Sequence, residues 1–348
     1  MNTAIVILNW NTKAQLERFL PSVIASTDSD VIVVDNGSTD GSVELLALKF
    51  PTVRLIVFDK NYGFTGGYNK SLDALKDEDY DVYVIMNTDV QVQAGWLEPL
   101  EKCFEDDPQC AACGPKLHSW YNKDDFEYAG GAGGYLDKFC YPFCRGRIMK
   151  MVEKDEGQYD DHPSEIFWTS GACIAVRSKV FHEIGGFDDR FFAHMEEIDL
   201  CWRIQLAGWT VKNVPTSVVW HVGGGTLPQD SPWKLKLNYR NNLLMMSKNL
   251  EASYGLQGIE NPAKAAKKTI RKRMILDGLS AIVYLCSLKW SYFKAVVQAH
   301  NEYRSLCGDA KTTAAPGAVI HGWYPSWIIP KAVFHKASIF KEIQDFRG

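Results

Sequence analysis

Four short, mostly apolar runs with polar or turn-rich stretches behind them constrain this chain more than any other feature. They are Ala4–Leu8, Val31–Val34, Val53–Phe58 and Val82–Met86. Each is too short for a packed helix, and each reads as a strand. Helical patterns lie between them: one after Thr12, which with Gln15 forms a candidate capping box, and one around Ala94–Phe104. Strands alternating with helices predict a mainly parallel sheet covered on both sides, an α/β fold. Ligands of such sheets bind beyond the carboxyl ends of the strands. The residues there are polar: Asn9-Trp10-Asn11, Asp35-Asn36, Asn61 and Asn87-Thr88-Asp89.

Further along, Phe167–Val176 and Ser217–His221 read as strands and Met195–Leu206 as a helix, while 118–160, rich in Gly, Tyr and charge, reads as a long surface insertion. From about Ser231 the pattern is helical. The 348 residues fit one large domain or two. The expected division is 1–228 for the α/β part, with its donor and acceptor subsites, and 229–348 for a C-terminal helical region. A net charge of −4 argues against nucleic acid as a partner.

Nine cysteines, an odd number, and an N-terminus without a basic n-region point to a reducing cytoplasm with most thiols buried. Cys110, Cys113, Cys140 and Cys144 could supply a four-thiolate zinc site, although their spacing is loose. No run reaches the ~18–20 apolar residues of a membrane span.

Several residues can carry chemistry. Asp35 can accept a hydrogen bond from a nucleobase, and Trp10 can stack on the same base; Asp at such a turn also serves simply as a cap. Asp89 at a strand end can ligate a divalent cation that bridges phosphate oxygens, with His221 as a second ligand. Glu196 and Glu197 open a helix, where carboxylates favour the macrodipole and where one of them can act as general base. Asp199 and Arg203, four apart, read as a structural ion pair.

The ordered motifs Ile7-Leu8-Asn9-Trp10-Asn11, Val33-Val34-Asp35-Asn36-Gly37-Ser38, Asn61-Tyr62-Gly63-Phe64, Met86-Asn87-Thr88-Asp89, Trp168-Thr169-Ser170-Gly171-Ala172-Cys173, Gly185-Gly186-Phe187-Asp188 and Glu196-Glu197-Ile198-Asp199 resemble glycosyltransferase family 2 over roughly the first 225 residues. Within it the chain looks most like bacterial rhamnosyltransferases of cell-surface polysaccharide assembly. The resemblance implies a GT-A fold and an inverting, metal-dependent transfer from a nucleoside-diphosphate sugar of the dTDP or UDP type to a glycan or lipid-linked acceptor. It implies that Asn9, Trp10, Asn11, Asp35, Asn61, Asn69 and Asn87 serve the donor, and that Asp89 and His221 hold Mn²⁺ or Mg²⁺. Glu197, or Glu196 one residue back, would be the base, with Trp168, Ser170, Gly171 and Ala172 on the acceptor side. The chain departs from the family's Asp-x-Asp metal motif at Asn87, and has Glu-Glu where many members have Glu-Asp.

A dehydrogenase would need Gly-x-Gly-x-x-Gly where this chain has Asn9-Trp10-Asn11-Thr12. A nucleotidyltransferase would need a Gly-rich, Arg-containing loop there. A sugar-nucleotide-binding scaffold that has lost catalysis is the non-enzyme alternative. In the C-terminal third, Arg240-Asn241-Asn242 lies in a helical stretch. Lys264, Lys267, Lys268, Arg271 and Lys272 then fall within ~140° of a helix, and the mostly apolar Met274–Leu288 follows them. Such a pattern fits a peripheral contact with the inner face of the cytoplasmic membrane.

Overall fold

In the computed structural model the elements follow in the order β1 (Thr3–Asn9), α1 (Lys13–Ala25), β2 (Asp30–Asp35), α2 (Ser42–Lys49), β3 (Arg54–Val57), α3 (Gly63–Ala74), β4 (Val82–Asn87), β5 (Val90–Val92), α4 (Glu98–Asp106) and β6 (Cys110–Ser119). Five short strands come next: β7 (Gly134–Asp137), β8 (Pro142–Cys144), β9 (Arg147–Ile148), β10 (Met151–Val152) and β11 (Ser164–Glu165). Then come β12 (Cys173–Arg177), α5 (Ser178–Glu183), α6 (Glu196–Leu206), β13 (Thr210–His221), α7 (Pro232–Leu256), α8 (Pro262–Cys286), α9 (Trp290–Leu306), β14 (Trp323–Tyr324), α10 (Ile328–Phe334) and α11 (Ile339–Asp345). The structure describes residues 1–127, 130–160, 163–223, 231–336 and 338–346. The expected division at 228/229 and the glycines Gly224 and Gly225 lie outside the described residues.

The main sheet has the order β11-β13-β6-β12-β4-β1-β2-β3, with β5 added alongside β13. β4, β1, β2 and β3 run parallel, β12 lies antiparallel between β4 and β6, and β6 pairs parallel with β13. Side chains alternate across the pleat, so each strand feeds two cores. Ile5, Ile7, Val33 and Val84 pack under α1, α2 and α4. Ala4, Val6, Val34 and Ile85 pack under α3 and α6, in a core that α7, α10 and α11 also enter through Leu243, Met246, Ile328 and Ile343.

Two expectations change. The 118–160 segment is no surface insertion: β7–β10 join β14 in a second sheet, and Tyr135, Leu136, Phe143 and Ile148 are buried. Its apolar residues were hidden among Gly and charge because each strand spans only two to four residues. The capping box at Thr12 does not form, and the Thr12 side chain caps nothing. Its hydroxyl instead donates to Asn9 Oδ1 at 2.6 Å, and the free Lys13 N–H at the helix start donates to Asp40 at 2.9 Å. A partner brought by the fold has displaced the local one.

Candidate active site

The carboxyl ends of β1, β2 and β4 open into one cavity of ≈ 480 Å³. Three of its walls matter chemically.

The first is built from the loops after β1, β2 and β3. Trp10, Thr12, Asn36 and Asn61 line it. Behind them the polar groups saturate one another. Asn9 Nδ2 donates to Asp35 Oδ2 at 2.7 Å, and the Ser38 N–H donates to Asp35 Oδ1 at 2.8 Å. Asn11, at φ 53°, accepts from the Thr39 N–H at 2.8 Å. Of the residues expected to serve the donor, Trp10, Asn61 and Asn87 therefore line the cavity, Asn9 and Asp35 form the buried, bonded layer behind it, and Asn11 is exposed, bonded to Thr39. Asn69 does neither. Its amide ties α3 to the Phe187 backbone and to Asp189, at 2.7–2.9 Å.

The second wall lies where β5 runs antiparallel to β13. That pairing sets His221 opposite Val90, and so beside Asp89. His221 Nε2 stands 3.2 Å from Asp89 Oδ1, and its Nδ1 stands 3.4 Å from Glu127 Oε1. Glu127 was not foreseen in the sequence. It reaches the site because its N–H donates to the Leu117 carbonyl, on the strand next to β13. All three side chains are buried. Burial pulls His221 down, yet the Asp89 and Glu127 carboxylates push it up to about 10. Asp89, although buried, is held below the usual carboxylate range by His221. Asp89 and His221 Nε2 pair one carboxylate with one imidazole, a borderline-hard donor pair that suits Mn²⁺ or Mg²⁺, while Glu127 stands on the opposite, Nδ1 side of the ring.

The third wall is the turn before α6. Phe192, His194 and Met195 all take positive φ, at 64°, 71° and 70°. Non-glycine residues adopt that region at a cost, and such strain gathers at functional sites. The turn is stapled from α7. Asn241 Nδ2 donates to the carbonyls of Phe191, Ala193 and His194 at 2.7–3.0 Å, and Arg240 donates to those of Arg190 and Phe191. From the other side the Phe192 carbonyl accepts from the N–H groups of Phe64 and Thr65, at the start of α3. Gly63 permits that approach, since a Cβ there would lie 2.6 Å from the Phe192 ring.

The result is a fixed presentation of Glu196 and Glu197 to the cavity. Each has an Oε2 that is buried without a hydrogen-bond partner. Burial raises Glu197 to about 7; burial and the Glu197 charge hold Glu196 well above the usual range. Ser170, Gly171 and Ala172 line the cavity nearby. Trp168 does not: it is core, its indole N–H donating to the Tyr135 carbonyl at 3.1 Å. His194, held neutral by burial, and Lys234, at the start of α7, also line the cavity and had no sequence signal of their own.

The cysteines assemble differently from the zinc pattern. Cys103, Cys110 and Cys113 gather their sulfurs within 4.8 Å of one another in the core beneath α4, whereas Cys140 and Cys144 are buried in the other core. All nine thiols are free and seven are buried.

A mostly parallel sheet of this order, with its polar strand ends around one cavity, is the GT-A fold of nucleotide-sugar transferases. A structure of GalNAc-T7 with UDP, GalNAc and Mn²⁺ superposes with a TM-score of 0.53 at 18% identity, over 71% of this chain and 47% of that one. This chain thus spans about half the length of that protein. The family model for glycosyl transferase family 2 matches residues 4–185, and the chain belongs to that family. An N-acetylglucosaminyl-diphospho-decaprenol L-rhamnosyltransferase of Mycobacterium tuberculosis is 27% identical over 263 residues, covering 70% of this chain and 83% of the relative. The rhamnosyltransferase WbbL of Escherichia coli is 36% identical over 80 residues, 23% of this chain and 29% of that protein.

Proposed function

We propose that this glycosyltransferase moves a rhamnose-like sugar from a dTDP- or UDP-type donor to a hydroxyl of a lipid-linked glycan, with inversion, at the inner face of the cytoplasmic membrane. The observation that carries the reading is Glu197. It is a cavity-facing carboxyl with an unpartnered oxygen, raised to about 7, in the same cavity as the Asp89–His221–Glu127 cluster. A general base is most effective when its pKa lies near the working pH. The mycobacterial relative, whose name gives a rhamnosyl transfer and a lipid diphosphate acceptor, supports the substrate class.

In this reading Trp10 stacks on the nucleobase and Asp35 stands behind it, while Asn61 and Asn87 face the ribose and diphosphate. Asp89 and His221 Nε2 would hold the divalent metal. Glu127, 3.4 Å from Nδ1, would accept a hydrogen bond from the Nδ1–H and so leave Nε2 as the ligand, as carboxylates behind metal-bound histidines do. A metal held there would supply positive charge against the departing diphosphate. Glu197 takes the proton of the acceptor hydroxyl. That oxygen bonds to the anomeric carbon from the face opposite the diphosphate, whose bond breaks in the same displacement. Glu196, held protonated, carries no charge to compete with it. Ser170, Gly171 and Ala172 border the space the acceptor enters.

Calorimetry of dTDP and UDP binding with and without Mn²⁺ tests the assignment. Wild-type protein binds one of them at least tenfold more tightly with the metal, and Asp89→Ala abolishes the difference. Metal dependence that survives in Asp89→Ala removes Asp89 from the site.

A further inference from the structure

α8 is built inside out. Its buried side carries Arg273 and Asp277, paired at 2.9 Å, with Ala266 and Ala281. Its outward side carries Ile275, Leu279, Ile282 and Val283 at 64%, 54%, 53% and 63% exposure. The turn into α9 adds Leu288 at 81% and Trp290 at 58%. A water-facing helix of a globular protein has the reverse arrangement, and a contiguous exposed apolar ridge marks a binding surface.

The ridge continues a basic one. Lys264, Lys267, Lys268, Arg271 and Lys272 are all exposed. At 100° per residue they share a ~160° arc with Ile275, Leu279, Ile282 and Val283. The apolar segment therefore lies in line with the basic stripe on the same face, rather than behind it as its position in sequence suggested. The first half of the face is cationic, and the second half, with the turn, is apolar.

This tip lies at the cavity end of the molecule. α8 runs antiparallel to α7: Tyr254 bonds Thr269 at 2.9 Å, and Tyr239 reaches Ser280. Six residues further towards the tip, Cys286 comes level with Trp233. Trp233 and Lys234, in the first turn of α7, line the cavity.

We propose that the α8–α9 hairpin seats on an anionic lipid bilayer. Its basic half lies on the head groups and its apolar tip enters the acyl boundary, which brings the mouth of the cavity to a membrane-borne acceptor. The proposal rests on the lipid-linked acceptor of the preceding section. Among the described residues no helix is long and apolar enough to cross a membrane, so the hairpin lies on the bilayer rather than spanning it. Charge complementarity selects lipid over a second copy of the chain, since like charges across a twofold contact repel.

The test uses the full chain and vesicles of phosphatidylglycerol with phosphatidylcholine, or of phosphatidylcholine alone, in co-sedimentation. Wild-type protein binds the anionic vesicles at least tenfold better. Each cation near such a surface contributes about fivefold, so replacing all five basic residues by Gln weakens binding on the order of 10³–10⁴-fold at low salt. Val283→Glu with Leu288→Glu, both outward-facing, abolishes binding but leaves hydrolysis of the nucleotide-sugar donor unchanged. Wild-type protein that ignores anionic vesicles overturns the proposal. So does a Val283→Glu/Leu288→Glu protein that still binds them, or light scattering that shows those substitutions splitting a dimer. Vesicle binding without any donor turnover would instead count against the transferase reading and leave the docking surface standing.

Discussion

Two sets of carboxylates on one helix are treated in opposite ways. Asp199, in the first turn of α6, is fully buried and fully answered: Arg203 Nε at 2.7 Å, Asn249 Nδ2 at 2.8 Å and Lys248 at 3.5 Å surround it. Two and three residues earlier, Glu197 is half-buried and Glu196 buried, and each keeps a buried oxygen without a partner. A buried carboxyl left unanswered costs stability, and that cost is tolerated where chemistry needs the group. Asp199 holds α6 to α7, while the acidic pair at the start of the same turn keeps open oxygens at the cavity. The helix is anchored by one carboxylate so that others can be left poised.

The largest expected effect tests the poised side. Glu197→Gln keeps shape and removes the proposed base, so turnover falls ~10²–10⁴-fold with little change in donor affinity. In the wild type, turnover rises with pH through about 7 as Glu197 loses its proton. If Glu196→Gln shows the large loss instead, the base is the other member of the pair.

The anchored side answers differently. Asp199→Ala leaves the Arg203 guanidinium buried without its carboxylate, which costs about 3–5 kcal/mol of stability in urea unfolding. A cost below about 1 kcal/mol would erase the contrast between the two sites.

Between them stands the staple. Asn241→Ala frees the carbonyls of Ala193 and His194 and costs about 1–3 kcal/mol. Because it loosens the strained turn that aims Glu197, kcat falls roughly 10–10²-fold while KM for the donor holds. A change confined to thermal stability, with kcat intact, would reduce Asn241 to a packing residue.

The smallest effect sharpens the comparison. Folding raises Glu197 from an ordinary 4.5 to about 7. Its contribution to stability is fully present below 4.5 and is lost as pH rises through about 7. Glu197→Gln is therefore more stable than wild type by about 1–3 kcal/mol at pH 8, and no more stable at pH 4. The same substitution made at a well-answered carboxylate would lower stability at pH 8.

Much of the cavity was legible because its residues sit next to strong local signals. Trp10, Asn61, Asn87 and Asp89 follow buried strands or open the next helix, and Glu196 and Glu197 open a helix with clear periodicity. The residues that escaped have no such neighbour. Glu127 lies in a stretch whose strands are too short to show a pattern, and it meets His221 only because β6 separates the two segments by a single strand. Lys234 follows a run of Gly, Thr and Pro, and nothing local aims it at the cavity. Asn69 and Trp168 erred the other way: their motifs were right, yet the side chains turned to hold α3 and the second sheet.

The sequence by itself determined the order of strands and helices, the side on which the site would form, and the Asp199–Arg203 pair. All of these depend on residues within a few positions of one another, where spacing alone sets which groups meet. Only the tertiary structure decided which polar groups would be bonded and which left open. That choice depends on partners 26 to 50 or more residues away, such as Asp35 for Asn9, Val90 for His221 and Asn241 for the turn at Phe191–His194. It decided as well which face of α8 would meet solvent, because packing against α7 buried the Arg273–Asp277 pair and turned the apolar residues outward.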